Sequence, residues 1–189
     1  MNIKLIASLI FLLVVTINLR AQKKETNNQE KVKFETTGQI GIMEGENGTS
    51  FELQMINGIK HKTFSAGIGL ALDYYVMRSI PLFFALRKDL VNKSQSPFIY
   101  TNGGINFPWV RESYSWISDT DPGVFYDLGL GYRFALNSNS ILLSAGYSLK
   151  TFSQDESYPI YCLVGPCPEQ VNHFSYKLRR LSIKAGFSF

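Results

Sequence analysis

The chain has 189 residues, 45% of them hydrophobic and 14% aromatic, but only 18% charged. A soluble globular chain carries about 25% charged residues, and a disordered chain would not hold 14 Phe and 10 Tyr. The formal charge of +4 is scattered, with no Lys/Arg run longer than two, so no nucleic-acid-binding patch is expected.

Residues 1–21 read as a signal peptide. Lys4 supplies the positive n-region, and Leu5 to Ile17 is apolar but too short for a comfortable membrane span. Small Ala21 precedes Gln22, so cleavage is expected between them. The alternative is an uncleaved anchor, which the short apolar stretch disfavours. Residues 22–33 form a polar tether; Lys23 to Lys31 contains no apolar residue and cannot join a core.

From Phe34 the pattern alternates with period two, the signature of strands rather than helices. Phe34 to Met43 sets Ile40 and Ile42 against Gln39 and Gly41, and Thr49 to Asn57 sets Phe51, Leu53 and Met55 against Glu52 and Gln54. Phe64 to Tyr74 alternates Ala66, Ile68, Leu70 and Leu72 with Gly67, Gly69, Ala71 and Asp73. Ile80 to Lys88 and Phe98 to Phe107 repeat the pattern. Val124 to Phe134 is the clearest case, with Tyr126, Leu128, Leu130 and Tyr132 opposite Asp127, Gly129, Gly131 and Arg133. Ile141 to Thr151 and Leu181 to Phe189 complete a set of eight. Strands of about ten residues in even number suit a bilayer-crossing barrel, since strands of soluble domains average about 5–6 residues. The expected fold class is all-β: an eight-stranded antiparallel up-and-down transmembrane β-barrel over residues 34–189.

The connections fit that fold in part. The two longest, Pro108 to Gly123 and Phe152 to Asn172, both fall on the outer side, although the outer connections Glu44 to Gly48 and Tyr75 to Ser79 are short. The inner turns are read as Gly58 to Lys62, Asp89 to Pro97 and Asn137 to Ser140. One irregularity stands in the last strand. Phe174, Tyr176 and Leu178 alternate on even positions, but Leu181 to Phe189 on odd ones. Either a bulge near Arg179 and Arg180 changes the phase, or the strand starts only after that pair.

A soluble barrel with an apolar interior has the same period. Three features place lipid outside. The polar face is rich in small residues, which suit a narrow lumen. It also carries both charge signs, Glu52, Asp73 and Asp127 against Arg87, Arg133 and Lys184, so these six are expected to pair inside the barrel. Finally, Tyr74, Phe107, Trp109, Tyr132, Phe134 and Phe189 lie near strand ends, as in aromatic girdles.

The order of Phe64-Ser65-Ala66-Gly67-Ile68-Gly69-Leu70, Ile80-Pro81-Leu82-Phe83, Gly129-Leu130-Gly131-Tyr132-Arg133-Phe134 and Lys184-Ala185-Gly186-Phe187-Ser188-Phe189 resembles small outer-membrane β-barrel proteins of the OmpA/OmpX-like type. The form resembled is the one common in Bacteroidetes, whose exported proteins the Ala21-Gln22 junction also resembles. The resemblance implies residence in the outer membrane of a Gram-negative bacterium, contact with outer-membrane lipid, and insertion by the barrel-assembly machinery. It gives Phe189 the role of the C-terminal assembly signal.

Candidate chemistry is thin. Cys162 and Cys167 lie in one outer loop of an exported chain, which favours a disulfide; metal binding is the lesser alternative, lacking a second Cys or His pair. No metal or cofactor is expected. His61 falls in an inner turn between Lys60 and Lys62. His173 and Ser175 share a strand face and resemble the His-x-Ser of barrel-type lipid A deacylases, but the sequence places no acid to orient the His. The loops 108–123 and 152–172, with Trp109, Trp116, Tyr114, Tyr158 and Tyr161, are the candidate surface for an extracellular ligand, the alternative, slightly favoured, being that these aromatics lie in the membrane interface. The expected protein is a monomeric, non-enzymatic barrel with a structural or surface-interaction role. A lipid-modifying enzyme and a small-solute pore are the alternatives.

Overall fold

A computed structural model describes residues 32–109, 117–136, 139–158 and 170–189. The described residues form nine strands: β1 (Lys33–Gly45), β2 (Gly48–His61), β3 (Phe64–Asp73), β4 (Ser79–Asp89), β5 (Ser96–Pro108), β6 (Ile117–Asp121), β7 (Gly123–Leu136), β8 (Asn139–Tyr158) and β9 (Gln170–Ser188). Each pairs antiparallel with its neighbours, and β8 to β9 with β9 to β1 closes the ring. Because β6 and β7 pair with successive stretches of β8, they make one stave broken at Pro122. The result is a closed eight-stranded antiparallel up-and-down barrel.

Closure leaves no sheet edge around the ring, and the side chains obey period two. Every stave turns large apolar groups outward: Ile183 and Phe84 are each 71% exposed, and Leu130 and Leu181 each 65%. The inward positions hold small, polar and ionised groups. Glycines let the few inward rings fit, and a Cβ at Gly131 would strike the Phe98 ring.

The strands are longer than their alternation predicts, and several expected loops are strand. Pairing of β8 with β9 extends from Ser140↔Ser188 to Tyr158↔Gln170, so both ends of the expected Phe152 to Asn172 loop are sheet. Ile117 to Asp121 within the Pro108 to Gly123 connection is likewise a strand. The expected Gly58 to Lys62 turn tightens to Lys62–Thr63, with Lys62 at φ 55. In the connection after β3, Tyr75 is not a loop side chain in solvent; it is 2% exposed.

The bulge expected near Arg179 and Arg180 is absent, and so is the alternative late start of the last strand. The β8–β9 register runs through that pair without a shift. Phe174, Tyr176 and Leu178 keep the inward parity of Arg180 and Lys184; what changes is the chemistry of the inward face. Register shifts lie on the β6–β7 stave instead, between Ile117 and Asp119 and across Pro122. Asp121 pairs with Ser153 but Phe125 with Lys150, so β6–β7 spends one residue more than β8 across the proline. Proline has no N–H for the ladder, which makes this the natural site for a bulge.

Candidate functional site

Two regions concentrate the polar groups: the lumen, and the sheet that rises beyond the ring at the loop end.

The lumen is filled in layers. At the loop-end mouth, Met43, Tyr75, Phe152 and Leu178 form an apolar lid with Met77 and Tyr176 packed against it. Below the lid, Asp73 accepts from Arg180 and from Lys150, the latter at 3.1 Å, and none of the three side chains is exposed. Lys150 Nζ also donates to the carbonyls of Tyr75 and Met77 at 2.9 and 3.0 Å and to Ser79 Oγ at 3.1 Å. Arg180 donates to Ser148 Oγ at 2.7 Å and lies over the Tyr75 ring.

The next layer centres on Lys184, which donates to Asp127 and stands 3.6 Å from Glu52 Oε2. Asp127 also accepts from the Tyr100 hydroxyl and the Asn102 amide, each at 3.2 Å. Glu52 is buried with neither oxygen hydrogen-bonded, so one lysine serves two carboxylates. Phe83 and Phe125 pack beside this layer, ring centroids 5.3 Å apart and tilted by 40°. At the turn end, Arg87 pairs with Glu35, which also accepts from Ser188, while Asp89 Oδ2 takes Lys60 and Arg133 at 2.7 Å each. A small recess of about 40 Å³ opens here, lined by Glu35, Gln39, Arg87, Tyr100 and Asn102 among others.

All six charges singled out in the sequence therefore point inward: Glu52, Asp73, Asp127 and Lys184 in the buried middle, Arg87 and Arg133 at the turn end. They do not form one network. The sequence reading missed five partners. Lys150 stood on the polar face of its strand and was legible there; Arg180 was hidden by the supposed change of phase. Glu35, Lys60 and Asp89 sit at strand ends, where alternation is weakest. Burying so many charges is tolerated because each has a counter-charge within reach.

The projecting sheet consists of β6, the last third of β8 and the first half of β9. β1 ends at Gly45, opposite Arg180, so β9 from Gln170 to Arg179 pairs on one side only among the described residues. The outward face carries Asp119, Asp155 and His173 in one row, and Asp121, Ser153 and Ser175 in the next. Here the expectation that no acid orients His173 is corrected. Asp155 Oδ1 lies 2.5 Å from His173 Nδ1, directly across the ladder. Sequence spacing missed it because the two are neighbours in register, not in sequence.

His61 is exposed at the end of β2. Phe107, Trp109, Phe134 and Phe189 are exposed at the two ends of the wall, whereas Tyr132, also exposed, stands further in, in the row of Leu143 and Ala185. Tyr74 stacks on Phe51 and lies under Arg78. Cys162, Cys167, Tyr114, Trp116, Tyr161 and the junction Ala21-Gln22 lie outside the described residues. Among the described residues no group of three or more His, Cys, Asp or Glu side chains could hold a metal ion.

No protein-family model and no curated protein matches the sequence. Among solved structures the chain is similar to the crystal structure of Neisserial surface protein A, with a TM-score of 0.55 and 14% identity, over 84% of this chain and 98% of that one. At this identity the likeness bears on the fold, and it is the fold the register describes: an eight-staved, antiparallel, closed barrel.

Proposed function

We propose that this protein is a monomeric outer-membrane barrel of a Gram-negative bacterium, non-enzymatic, with a structural or surface-interaction role. The observation that carries the reading is the inverted wall: apolar outside on every stave, ionised and sealed inside. A water-borne monomer rarely exposes an apolar patch beyond a few hundred Å², whereas a bilayer requires such a belt. The fold of Neisserial surface protein A supports the same address. Export by residues 1–21, cleavage between Ala21 and Gln22, recognition of Phe189 by the assembly machinery, and a Cys162–Cys167 disulfide belong to this proposal.

Surface interaction is assigned to the projecting sheet and the connections 108–123 and 152–172. From Phe174 to Arg179, β9 pairs on one side only among the described residues, the arrangement through which an extended segment of a partner adds as a strand. The small-solute pore is the weaker alternative, because Glu52, Asp73, Asp127, Lys150, Arg180 and Lys184 are each 2% exposed or less. The lipid-modifying alternative has one observation in its favour, the Asp155–His173 contact. Both side chains are more than a third exposed, and neither lines the recess at the turn end or a shallow apolar depression in the wall.

Electrophoresis after detergent extraction tests the membrane reading. An intact membrane barrel migrates differently unboiled and boiled; a chain that stays with the periplasmic fraction and shows no heat shift would refute it. Retention of wild-type behaviour by His173→Ala in lipid-hydrolysis assays would dismiss the enzyme alternative.

A further inference from the structure

The inward bases Lys60, Arg87, Arg133, Lys150, Arg180 and Lys184 all have acidic partners. Lys177 and Arg179 do not. They are exposed on the outward face of β9, one ladder row apart, and make no ion pair among the described residues. Of the acids of that face, Asp119, Asp121 and Asp155 stand in rows further from the ring, while Glu44, opposite Leu181 on β1, accepts from Thr49 Oγ1 and makes no ion pair with either base among the described residues. Immediately on the ring side of Arg179 the same face turns apolar, with Leu181 and then Ile183.

Below them the wall is dented. The register aligns Ile42, Ile183, Ala145 and Leu130 in one row, and Ile40, Ala185, Leu143 and Tyr132 in the next. Ala145 and Ala185 are diagonal neighbours, so a shallow apolar depression opens between Ile42, Ile183, Leu130 and Leu143. Arg179 to Ala185 spans six residues, about 20 Å along the strand. At a tilt of about 45° that is about 14 Å of depth, close to half of the ~30 Å hydrocarbon core. The depression therefore falls near mid-bilayer and the basic pair at headgroup level of one leaflet.

Resting on the membrane reading above, we infer that Lys177, Arg179 and the Ala145/Ala185 depression form a binding site for one phosphate-bearing anionic lipid of the leaflet at the loop end. The phosphate sits between the ammonium and the guanidinium, and an acyl chain lies along β9 into the depression. Charge selects the occupant: a second copy of this chain would bring its own Lys177 and Arg179 to the same place about a two-fold axis, like against like.

The probe is phosphatidylglycerol against phosphatidylcholine. The full-length mature barrel, folded in detergent, is equilibrated with an equimolar mixture, and retained lipid is weighed by native mass spectrometry. Near a membrane surface each basic residue is worth about fivefold in affinity for anionic lipid, so the wild type should favour phosphatidylglycerol by up to about thirtyfold. The double variant Lys177→Gln/Arg179→Gln should bring that ratio close to one, while Lys88→Gln/Lys93→Gln at the turn end should leave it unchanged. Ala145→Leu/Ala185→Leu, which fills the depression, should lower retention of both lipids. Equal retention of the two lipids by the wild type, a ratio unmoved by the basic-pair variant, or a dimer in place of lipid adducts would overturn the site. The same samples run unboiled separate the two failures: loss of the heat-shifted band refutes the membrane barrel, whereas a normal shift without selectivity refutes only the lipid site.

Discussion

Asp73 is the carboxylate on which the sealed middle of the barrel depends most. Asp73→Asn keeps the shape of the side chain and the oxygen that accepts the Tyr75 N–H at 2.8 Å, so it isolates charge. Left behind are Lys150 and Arg180, both fully buried and formerly sharing one acid. Breaking a buried pair costs about 3–5 kcal/mol, because the uncompensated ion remains out of water. Two cations about 6 Å apart at an effective dielectric of about 20 repel by about 3 kcal/mol, which agrees in size. The three oxygens still bound to Lys150 and the Ser148 hydroxyl on Arg180 soften the loss but carry no countercharge. The expected destabilisation is thus about 3–5 kcal/mol for Asp73→Asn. Adding Lys150→Met removes one cation and its repulsion, so the double variant should recover about half of that. Urea titration of the folded barrel in micelles, followed by tryptophan fluorescence, reads the midpoint at constant slope. A single variant within about 1 kcal/mol of wild type, or a double variant no more stable than the single, would refute the claim that countercharge holds this layer together.

Three further outcomes follow from the same geometry. Ile183→Arg, on a wall position 71% exposed, should cost about 2–4 kcal/mol in a lipid bilayer; a soluble barrel would tolerate it, and a neutral result would place water against that wall. Gly131→Leu drives a side chain into the Phe98 ring and the Leu143 carbonyl and should destabilise by about 1–3 kcal/mol, while Gly38→Ala, with nothing within 4 Å of its Cβ, should change stability by less than about 0.5 kcal/mol in the same titration. The wild-type barrel in planar bilayers should show no sustained conductance steps; regular openings would contradict the sealed layers around Asp73 and Lys184.

Much of the fold was legible because one period governs the whole chain. In Val124 to Phe134 or Ile141 to Thr151, half of the residues are apolar and half are not, and a narrow closed barrel is the arrangement that gives each half its own solvent. The pairings inside the lumen were less legible. Parity tells that Asp127 and Lys184 share an interior, but not that Lys184 bonds Asp127 while standing off from Glu52. That depends on how eight staves are staggered around the ring. The His173–Asp155 contact is of the same kind, set by register between strands joined through a long connection. The false bulge at Arg179 had a different cause: it assumed that apolar residues always face out.

On the membrane reading proposed above, that assumption fails where the surroundings change from lipid to water, and the level of the failure marks the membrane boundary. On β9 outward Leu181 is followed by outward, charged Arg179; inward, the last ion is Arg180 and the next residue is apolar Leu178. The neighbouring staves switch at the same height. β1 passes from outward Ile42 to outward Glu44, which is paired with Leu181, as inward Gly41 gives way to Met43. On β8 inward Lys150, paired with Leu178, is followed by inward Phe152. Three adjacent staves exchanging polarity within one or two ladder rows is not a property of any single strand. Below that level the apolar atoms have lipid to face, and the ions must find one another inside. Above it water lies outside, so the apolar atoms gather in the mouth as the Met43, Tyr75, Phe152 and Leu178 lid. On that reading one boundary condition accounts for the belt, the lid, and the ion layer sealed between them, and it is the same condition that sets Lys177 and Arg179 at the height proposed for lipid phosphates.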